Sequence, residues 1–270
     1  MKKEKVFMGY DKQLFEKGKY VQLDRYSGKK GTMPKHHYHD LFEIYLLEEG
    51  ECKYFIDEDS FDVKEGDLVL IPAGTIHRTM YEVPRYSRRV IYCSSHFIPT
   101  MVIESLHEIL YHYSAPEIKK EIINIFDTIE HEQERNDKFS IDIIQNQIHL
   151  LFYLIVRNKP ATSQKGNMYV SEAISFIKEN YDRDICLPDI AELYSVSPEH
   201  LSRVFKKETG FTFREYLNMV RLQKAEAMLK SDKKISVSEV AYKCGFNDSN
   251  YFSDKFKKIY GYPPVKVRKK

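Results

Sequence analysis

The chain has 270 residues, of which 42% are hydrophobic, so it can bury a core in each of two domains of ordinary size. No stretch reaches the length of a membrane span, and the first residues lack the apolar run of a secretory signal, which predicts a cytoplasmic protein without a membrane partner. The four cysteines form no C-x-x-C pair, and we expect them to be reduced core residues.

Charge is distributed unevenly along the chain. Residues 1–167 carry 23 Lys and Arg against 26 Asp and Glu, whereas residues 168–270 carry 19 against 14. The basic part is therefore expected to meet a polyanion, and the acidic part is not. The small and polar segment 160–167 is the predicted linker, which makes 1–159 and 168–270 the predicted domains.

Short strands separated by turns are predicted for the first part of the chain. The segments rich in β-branched and aromatic residues are 42–47, 52–56, 67–71 and 88–92. Many short strands at this spacing are typical of a β-sandwich or barrel. The segment before Gly31 is predicted to be an edge strand in preference to a lid.

A helical pattern replaces the strands after Pro99. Apolar residues then recur at alternating steps of three and four, at Ile141, Ile144, Ile148, Leu151 and Ile155. This spacing predicts a helix with one apolar face. Two interpretations are open, because the face suits packing against the barrel and also suits a seam between two copies of the chain, which would make the protein a homodimer.

The last hundred residues contain an internal repeat. Residues 201–210 align with residues 252–261, and a short helix upstream of each carries a small residue, Ala191 or Ala241. Each copy is predicted to fold as a helix, a tight turn and a second helix. A single such pattern arises often by chance, so the repetition carries the prediction of two helix-turn-helix units.

Turn and cap residues support these two units. Gly245 supplies the positive φ that the second turn needs, whereas its counterpart Ser195 would adopt that conformation at a cost in strain. Thr212 and Glu215 form a capping box that opens one continuous helix between the units. A rigid connection would place both second helices in successive major grooves, roughly 34 Å apart. The alternative is a helical bundle that binds protein.

The segment from Leu187 to Arg268 resembles the DNA-binding domain of the AraC/XylS family of bacterial regulators. The resemblance covers both units, the turn at Gly245-Phe246 and the closing residues 261–264. It implies double-stranded DNA as a partner, with RNA polymerase as a further candidate. It also implies that base-facing residues lie in the two second helices, at Glu199, Ser202, Arg203, Ser249, Asn250, Ser253 and Asp254.

Two features of these helices bear on binding strength. Four lysines, Lys206, Lys207, Lys257 and Lys258, lie where phosphates would pass, although a plain solvated role is equally open for each. The position of Arg203 is occupied by Asp254 in the second unit, where the family often has a basic residue. Because Arg203 can form two hydrogen bonds to guanine and Asp254 repels phosphates, we expect the first unit to contribute more binding energy.

The strand-rich part resembles the cupin family. The residues that follow the spacing of the two cupin motifs are Gly31, His37, His39, Glu43 and Gly50, then Gly66, Pro72, Gly74 and His77. Tyr81 stands where the second motif has Asn. The resemblance implies a small jelly-roll barrel and therefore an α+β protein of two domains, with an all-helical second domain.

The cupin resemblance also implies a site within the barrel. His37, His39, Glu43 and His77 form the set of three histidines and one carboxylate that binds a divalent metal in cupin enzymes. The alternative is that these four residues hydrogen-bond a polar ligand without a metal. Regulators of this architecture use the barrel as a sensor, and a lumen lined by His, Glu and Tyr suits a sugar or a related polar metabolite.

These observations predict a transcriptional regulator that binds DNA and responds to a small molecule in its barrel, and that has no catalytic residues. The main alternative is a metal-dependent cupin enzyme fused to a DNA-binding domain. The intact ligand set favours this alternative, whereas the missing Asn weakens it.

Overall fold

The computed structural model describes residues 21–32, 41–100, 102, 111–114, 116–158 and 167–269, with the backbone alone at 29–32 and 268–269. The chain divides into two compact units, with the main boundary between residues 164 and 165 and with residues 57–60 grouped with the second unit. Among the described residues, no helix has the length and apolar character needed to cross a bilayer.

The first unit is a nearly closed antiparallel barrel. Its described strands are β1 Val21–Thr32, β2 Phe42–Glu49, β3 Glu51–Ile56, β4 Asp59–Lys64, β5 Leu68–Ile71, β6 His77–Cys93 and β7 His112–Tyr113. The strands are paired in the order β4-β3-β6-β2-β5-β7, and β1 pairs with β6. The predicted barrel class is confirmed, and β4 is a strand that the sequence analysis missed. The edge strand predicted before Gly31 is found at residues 21–30 as part of β1, whereas the rest of that segment, residues 1–20, lies outside the described residues.

Strand β2 is buried on both faces because its side chains alternate between two cores. Ile44 and Leu46 lie in a core shared with two helices, whereas Tyr45 and Leu47 lie in the barrel interior. Each such aliphatic side chain contributes about 1.5–3 kcal/mol when it is fully buried. Double burial explains why this strand has a nearly continuous apolar sequence.

Two helices, α1 Lys119–Arg135 and α2 Ser140–Arg157, cover the outer face of the sheet. Four residues of the predicted apolar stripe on α2 are buried in the core shared with the sheet: Ile144, Ile148, Leu151 and Ile155. Ile141 is exposed. The interpretation of a helix packed on the barrel is therefore correct for these four residues, and this face is not available as a seam between two copies.

Helices are the regular elements of residues 167–269, the described part of the second unit after the linker. Its elements are α3 Met168–Asn180, α4 Leu187–Leu193, α5 Pro198–Thr209, α6 Phe213–Ser231, α7 Val237–Lys243, α8 Ser249–Tyr260 and a final 3-10 helix Pro264–Lys269. The pairs α4–α5 and α7–α8 are the two predicted helix-turn-helix units, and α6 joins them. The predicted two-domain α+β fold is confirmed.

Local signals set the ends of the second helices. Ser197 accepts a hydrogen bond from the backbone N–H of His200 and precedes Pro198 at the first helical position of α5. Asp248 accepts from two backbone N–H groups at the start of α8. Gly210 and Gly261 end the two helices in the left-handed conformation that glycine adopts at little cost.

The two turns differ in length but share one hydrogen bond. The first spans four residues, 194–197, and the second spans five, 244–248. In each turn, a backbone N–H donates to the carbonyl of the small helix residue, Ala191 or Ala241, at 3.0 Å. Ser195 has a φ of 54° and Gly245 a φ of 80°. Ser195 thus adopts the positive φ whose strain the sequence analysis noted, at a cost of about 1–2 kcal/mol for a residue with a Cβ.

Candidate functional site

The outer face of α5 carries the residues predicted to contact DNA. Leu201 and Phe205 are fully buried on the opposite side of the helix. This packing leaves the predicted contact residues exposed, namely Glu199, Ser202, Arg203, Lys206 and Lys207. The helix thus presents one carboxylate, one hydroxyl and three cations to solvent.

The outer face of α8 is built in the same way. Phe252 and Phe256 are buried, and the exposed predicted residues are Asn250, Asp254, Lys257 and Lys258. Ser249 and Ser253 are half-buried, and the Ser253 hydroxyl donates to the Ser249 carbonyl at 2.8 Å. The side chains on α8 that are most accessible to a partner are therefore the amide, the carboxylate and the two lysines.

Arg221 on α6 connects the two helix-turn-helix units. Its Nε donates to the carbonyl of Tyr181 and its Nη2 to the carbonyl of Arg183, both at 2.7 Å. These carbonyls belong to the segment that leads into the first unit. The Arg221 guanidinium also lies 5.8 Å from the ring centre of Phe246, in the turn of the second unit. Arg221 therefore helps to fix the position of one unit relative to the other.

Gly245 leaves the room that this arrangement needs. A Cβ at this position would lie 2.8 Å from the Tyr181 carbonyl oxygen and 2.9 Å from Nε of Arg221. Because Gly245 also has a positive φ, both sterics and backbone conformation select glycine here. Arg221 was not among the predicted functional residues, because its role depends on contacts between segments far apart in sequence.

The barrel interior brings together two of the four residues predicted to bind a ligand or metal. Glu43 and His77 are fully buried, and the Glu43 Oε2 atom lies 3.3 Å from His77 Nε2. The Tyr54 hydroxyl donates to Glu43 Oε1 at 3.1 Å. The other ring nitrogen of His77 lies 2.9 Å from the Thr75 carbonyl, which fixes it as a donor.

His37 and His39 lie outside the described residues. Within the described ranges, no group of three or more His, Cys, Asp or Glu side chains is arranged to hold a metal ion. Glu43 and His77 are instead in contact with each other. The four-residue metal site thus stays a prediction, which elemental analysis of protein purified without chelators would test.

A cluster of tyrosines forms a second polar region of the barrel interior. The hydroxyls of Tyr45 and Tyr81 lie 3.0 Å apart, and the ring of Tyr81 stacks on that of Tyr86 with centroids 3.4 Å apart. Burial raises the pKa of Tyr45 well above its ordinary value and that of Tyr86 to about 12. The cluster was missed as a site, because Tyr81 and Tyr86 lie an odd number of residues apart on β6 and strand alternation alone would place them on opposite faces.

Comparisons with known proteins match both domains of the chain. The family described as "AraC-like ligand binding domain" matches residues 26–145, and that described as "Helix-turn-helix domain" matches residues 190–270. The HTH-type transcriptional activator RhaS of Salmonella schwarzengrund is 24% identical over 250 residues, which is 88% of each chain. RhaS of Citrobacter koseri is 22% identical with the same coverage. ToxT from Vibrio cholerae is 16% identical, with a TM-score of 0.40, over 92% of this chain and 96% of that one.

A ligand-binding barrel followed by two helix-turn-helix units defines a DNA-binding transcriptional regulator of two domains. The chain belongs to the AraC family. This family consists of transcriptional regulators and not of enzymes.

Proposed function

We propose that this protein controls transcription in the cytoplasm by binding a specific DNA sequence, and that a sugar or related polar metabolite in the barrel alters this binding. The observation that carries the proposal is that polar side chains are buried inside the barrel of the first domain but exposed on two helices of the second domain. In the barrel, Glu43, Tyr54 and His77 are buried, whereas on α5 and α8 the charged residues predicted to contact DNA, together with Ser202 and Asn250, are exposed. Buried polar groups suit a small enclosed ligand, and exposed ones suit a large partner.

On the DNA side, the proposed base contacts are made by Arg203 to guanine and by Asn250 to adenine, because each can form two hydrogen bonds to the respective base. The lysines at the ends of α5 and α8 would neutralise phosphates and contribute affinity without sequence information. RNA polymerase stays a candidate partner, for which the described residues offer no specific surface.

On the ligand side, hydroxyl groups of a sugar need several hydrogen-bond partners, and aromatic faces cover its C–H surfaces. The barrel interior provides both kinds of contact through Tyr45, Tyr54 and Tyr81, together with Glu43 and His77. Binding alters DNA affinity only if the ligand favours one of two conformations of the protein, so the effect must be measured on DNA.

The protein is further proposed to act as a homodimer through the exposed side of α2. Leu150, Tyr153 and Val156 are 43–45% exposed on this helix and share the side opposite the buried stripe. The proposed partner of this surface is the same surface of a second copy, since a two-fold interface is self-complementary. Leu150→Glu combined with Tyr153→Glu should yield a monomer in sedimentation. The control Val265→Glu, at an exposed residue of the other unit, should not, and a monomeric parent protein would refute the dimer.

The main test measures DNA binding by the full chain. Duplexes selected from a random pool by the protein are titrated by fluorescence anisotropy at several salt concentrations, with and without a panel of sugars. We expect affinity to fall steeply with salt, because phosphate contacts release counterions, and to change with at least one sugar. Binding that is insensitive to salt would refute the DNA-binding role. Binding that no sugar alters would refute the proposed sugar effector.

A further inference from the structure

Arg88 on β6 is half-buried, and part of its guanidinium lies buried in the barrel interior. Its Nε and Nη1 atoms are inaccessible to solvent and have no hydrogen-bond partner among the described residues. The guanidinium carbon lies 5.6 Å from the ring centre of Tyr26 and 5.8 Å from that of Tyr45. In the sheet, Arg88 pairs with Tyr26 of β1 and with Leu47 of β2. The guanidinium therefore lies in the tyrosine cluster.

The neighbouring Arg89 shows how this fold satisfies a buried arginine. Arg89 points to the opposite face of β6, where it is 1% exposed. There it forms ion pairs with Glu48 at 2.8 Å, Asp127 at 2.5 Å and Glu130 at 3.7 Å. Two successive arginines on one strand thus differ in whether a carboxylate neutralises their charge. Arg89 has three carboxylate partners, and Arg88 has none among the described residues.

No described carboxylate near the tyrosine cluster compensates Arg88. Glu43 pairs with Tyr92, four residues further along β6, which corresponds to roughly 13 Å of strand. Asp24 on β1 accepts a hydrogen bond from Gln22 Nε2 at 2.7 Å and forms no ion pair with Arg88. Glu43 is itself occupied by Tyr54 and His77.

The tyrosines around Arg88 cannot supply the missing negative charge. Burial raises the pKa of Tyr45 well above its ordinary value, and it raises the pKa of Tyr86 to about 12, although the Arg88 charge acts in the opposite direction on both. Their hydroxyls are therefore neutral at physiological pH. A buried cation that lacks an anion is costly to retain unless a bound molecule supplies one.

We propose that Arg88 binds the anionic group of the effector and that this group is a carboxylate, so that within the sugar class the effector is a sugar acid. This inference rests on the proposed ligand-binding role of the barrel. The planar guanidinium matches a carboxylate with two parallel hydrogen bonds. The rings of Tyr26, Tyr45 and Tyr86 then cover the hydrocarbon surface of the ligand, and the Tyr45 and Tyr81 hydroxyls reach its hydroxyl groups.

The first test requires no knowledge of the effector. Thermal unfolding of the full chain is compared in sodium acetate and in sodium chloride at equal ionic strength, for the parent protein, Arg88→Gln and Arg85→Gln. Arg85 is exposed on the same strand, so it controls for a general loss of charge. We expect acetate to raise the Tm of the parent and of Arg85→Gln, because a ligand that binds only the folded state stabilises it. The Tm of Arg88→Gln should not respond.

Folding of the variants is checked by far-ultraviolet circular dichroism. If Arg88→Gln does not fold, Arg88→Lys replaces it, because lysine keeps the charge but cannot form the paired hydrogen bonds. This variant should retain less than half of the acetate shift. An equal shift in the parent and in the folded Arg88 variant would overturn the inference.

The second test uses ligand pairs that differ in a carboxylate. D-glucuronate is compared with D-glucose, D-galacturonate with D-galactose, and D-gluconate with D-sorbitol, by calorimetry and by near-ultraviolet circular dichroism. The chain has no Trp, so the near-ultraviolet signal reports mainly on tyrosines. We expect an acid to bind at least tenfold more tightly than its neutral partner, and Arg88→Gln to remove this preference.

The outcomes separate the inference from the proposed function. Neutral sugars that bind as well as the acids, with no loss in Arg88→Gln, would refute the carboxylate and leave the sugar effector standing. An Arg88-dependent response to acetate without binding of any sugar or sugar acid would support the anion site at Arg88 and refute its sugar-acid form together with the sugar effector.

Discussion

The two helix-turn-helix units have the same architecture and present different chemistry. Their buried positions match, as in Phe205 and Phe256, which are both fully buried. Their exposed positions agree at the two lysines near each helix end and differ where Arg203 in the first unit corresponds to Asp254 in the second. The comparison teaches that the packed positions and the lysine pairs are alike in the two units, whereas the charge at one central exposed position is reversed. Structural equivalence of the units therefore does not imply equal contributions to binding.

The largest expected effect comes from breaking the connection between the units. Arg221→Ala removes two charge-assisted hydrogen bonds and leaves two carbonyls without these donors, so the unfolding free energy of the helical unit should fall by about 3 kcal/mol. Urea unfolding followed by circular dichroism measures this change. Arg214→Ala, at an exposed position of the same helix, is the control, and equal losses in both variants would contradict the role of Arg221.

The second prediction concerns the two turns. Gly245→Ala should lower the unfolding free energy by about 2 kcal/mol or more, since a Cβ is disfavoured at positive φ and meets the Tyr181 carbonyl. Ser195→Gly should be nearly neutral or stabilising by less than about 1 kcal/mol, because glycine relieves strain but adds entropy to the unfolded chain. Both are measured by urea unfolding. Similar destabilisation by the two substitutions would show that the turns are equivalent after all.

The third prediction compares the two recognition helices directly. Arg203→Ala should weaken binding to the selected DNA by at least tenfold, or about 1.4 kcal/mol, as expected for loss of a paired contact to guanine. Asp254→Ala should leave the affinity within threefold or increase it, because it removes a negative charge near phosphates. Fluorescence anisotropy at fixed salt measures both. A change of less than twofold for Arg203→Ala would remove the proposed inequality of the units.

The smallest effect is expected from the lysine pairs. Replacing Lys206 and Lys207 by Ala should reduce the salt dependence of DNA binding by about two phosphate contacts, and replacing Lys257 and Lys258 should do the same. Sequence preference should not change in either double variant. An unchanged slope of log affinity against log salt for one pair would assign that pair to the solvated surface and sharpen the difference between the units.

Much of the helical unit could be predicted from sequence because its signals are local. The caps at Ser197 and Asp248 and the turn residues Ser195 and Gly245 act within a few residues of their own position. Because the motif occurs twice, each of these local signals is found at equivalent positions in both copies. The apolar stripe of α2 was recognised as well, but periodicity alone could not decide which surface it packs against.

The roles of Arg88 and Arg221 could not be predicted from sequence because they depend on distant segments. Arg221 bonds carbonyls about forty residues upstream, and Arg88 lies among tyrosines from β1 and β2. Strand β4 was missed because three of its six residues are charged and it has few β-branched or aromatic residues. For the cupin residues, the sequence predicted four, and the structure describes Glu43 and His77, which it places in contact.

The uninterrupted helix α6 fixes the distance and the rotation between the two helix-turn-helix units, and therefore the spacing of the two DNA segments that they can bind. It runs for 19 residues between the units, and inserting one residue would rotate the second unit by roughly 100° relative to the first. A single insertion or deletion in α6 therefore cannot adapt the protein to a slightly different spacing between the two DNA segments. Divergence to new operators is expected to proceed by exchanging exposed side chains on α5 and α8, with the distance between the two contacts held constant.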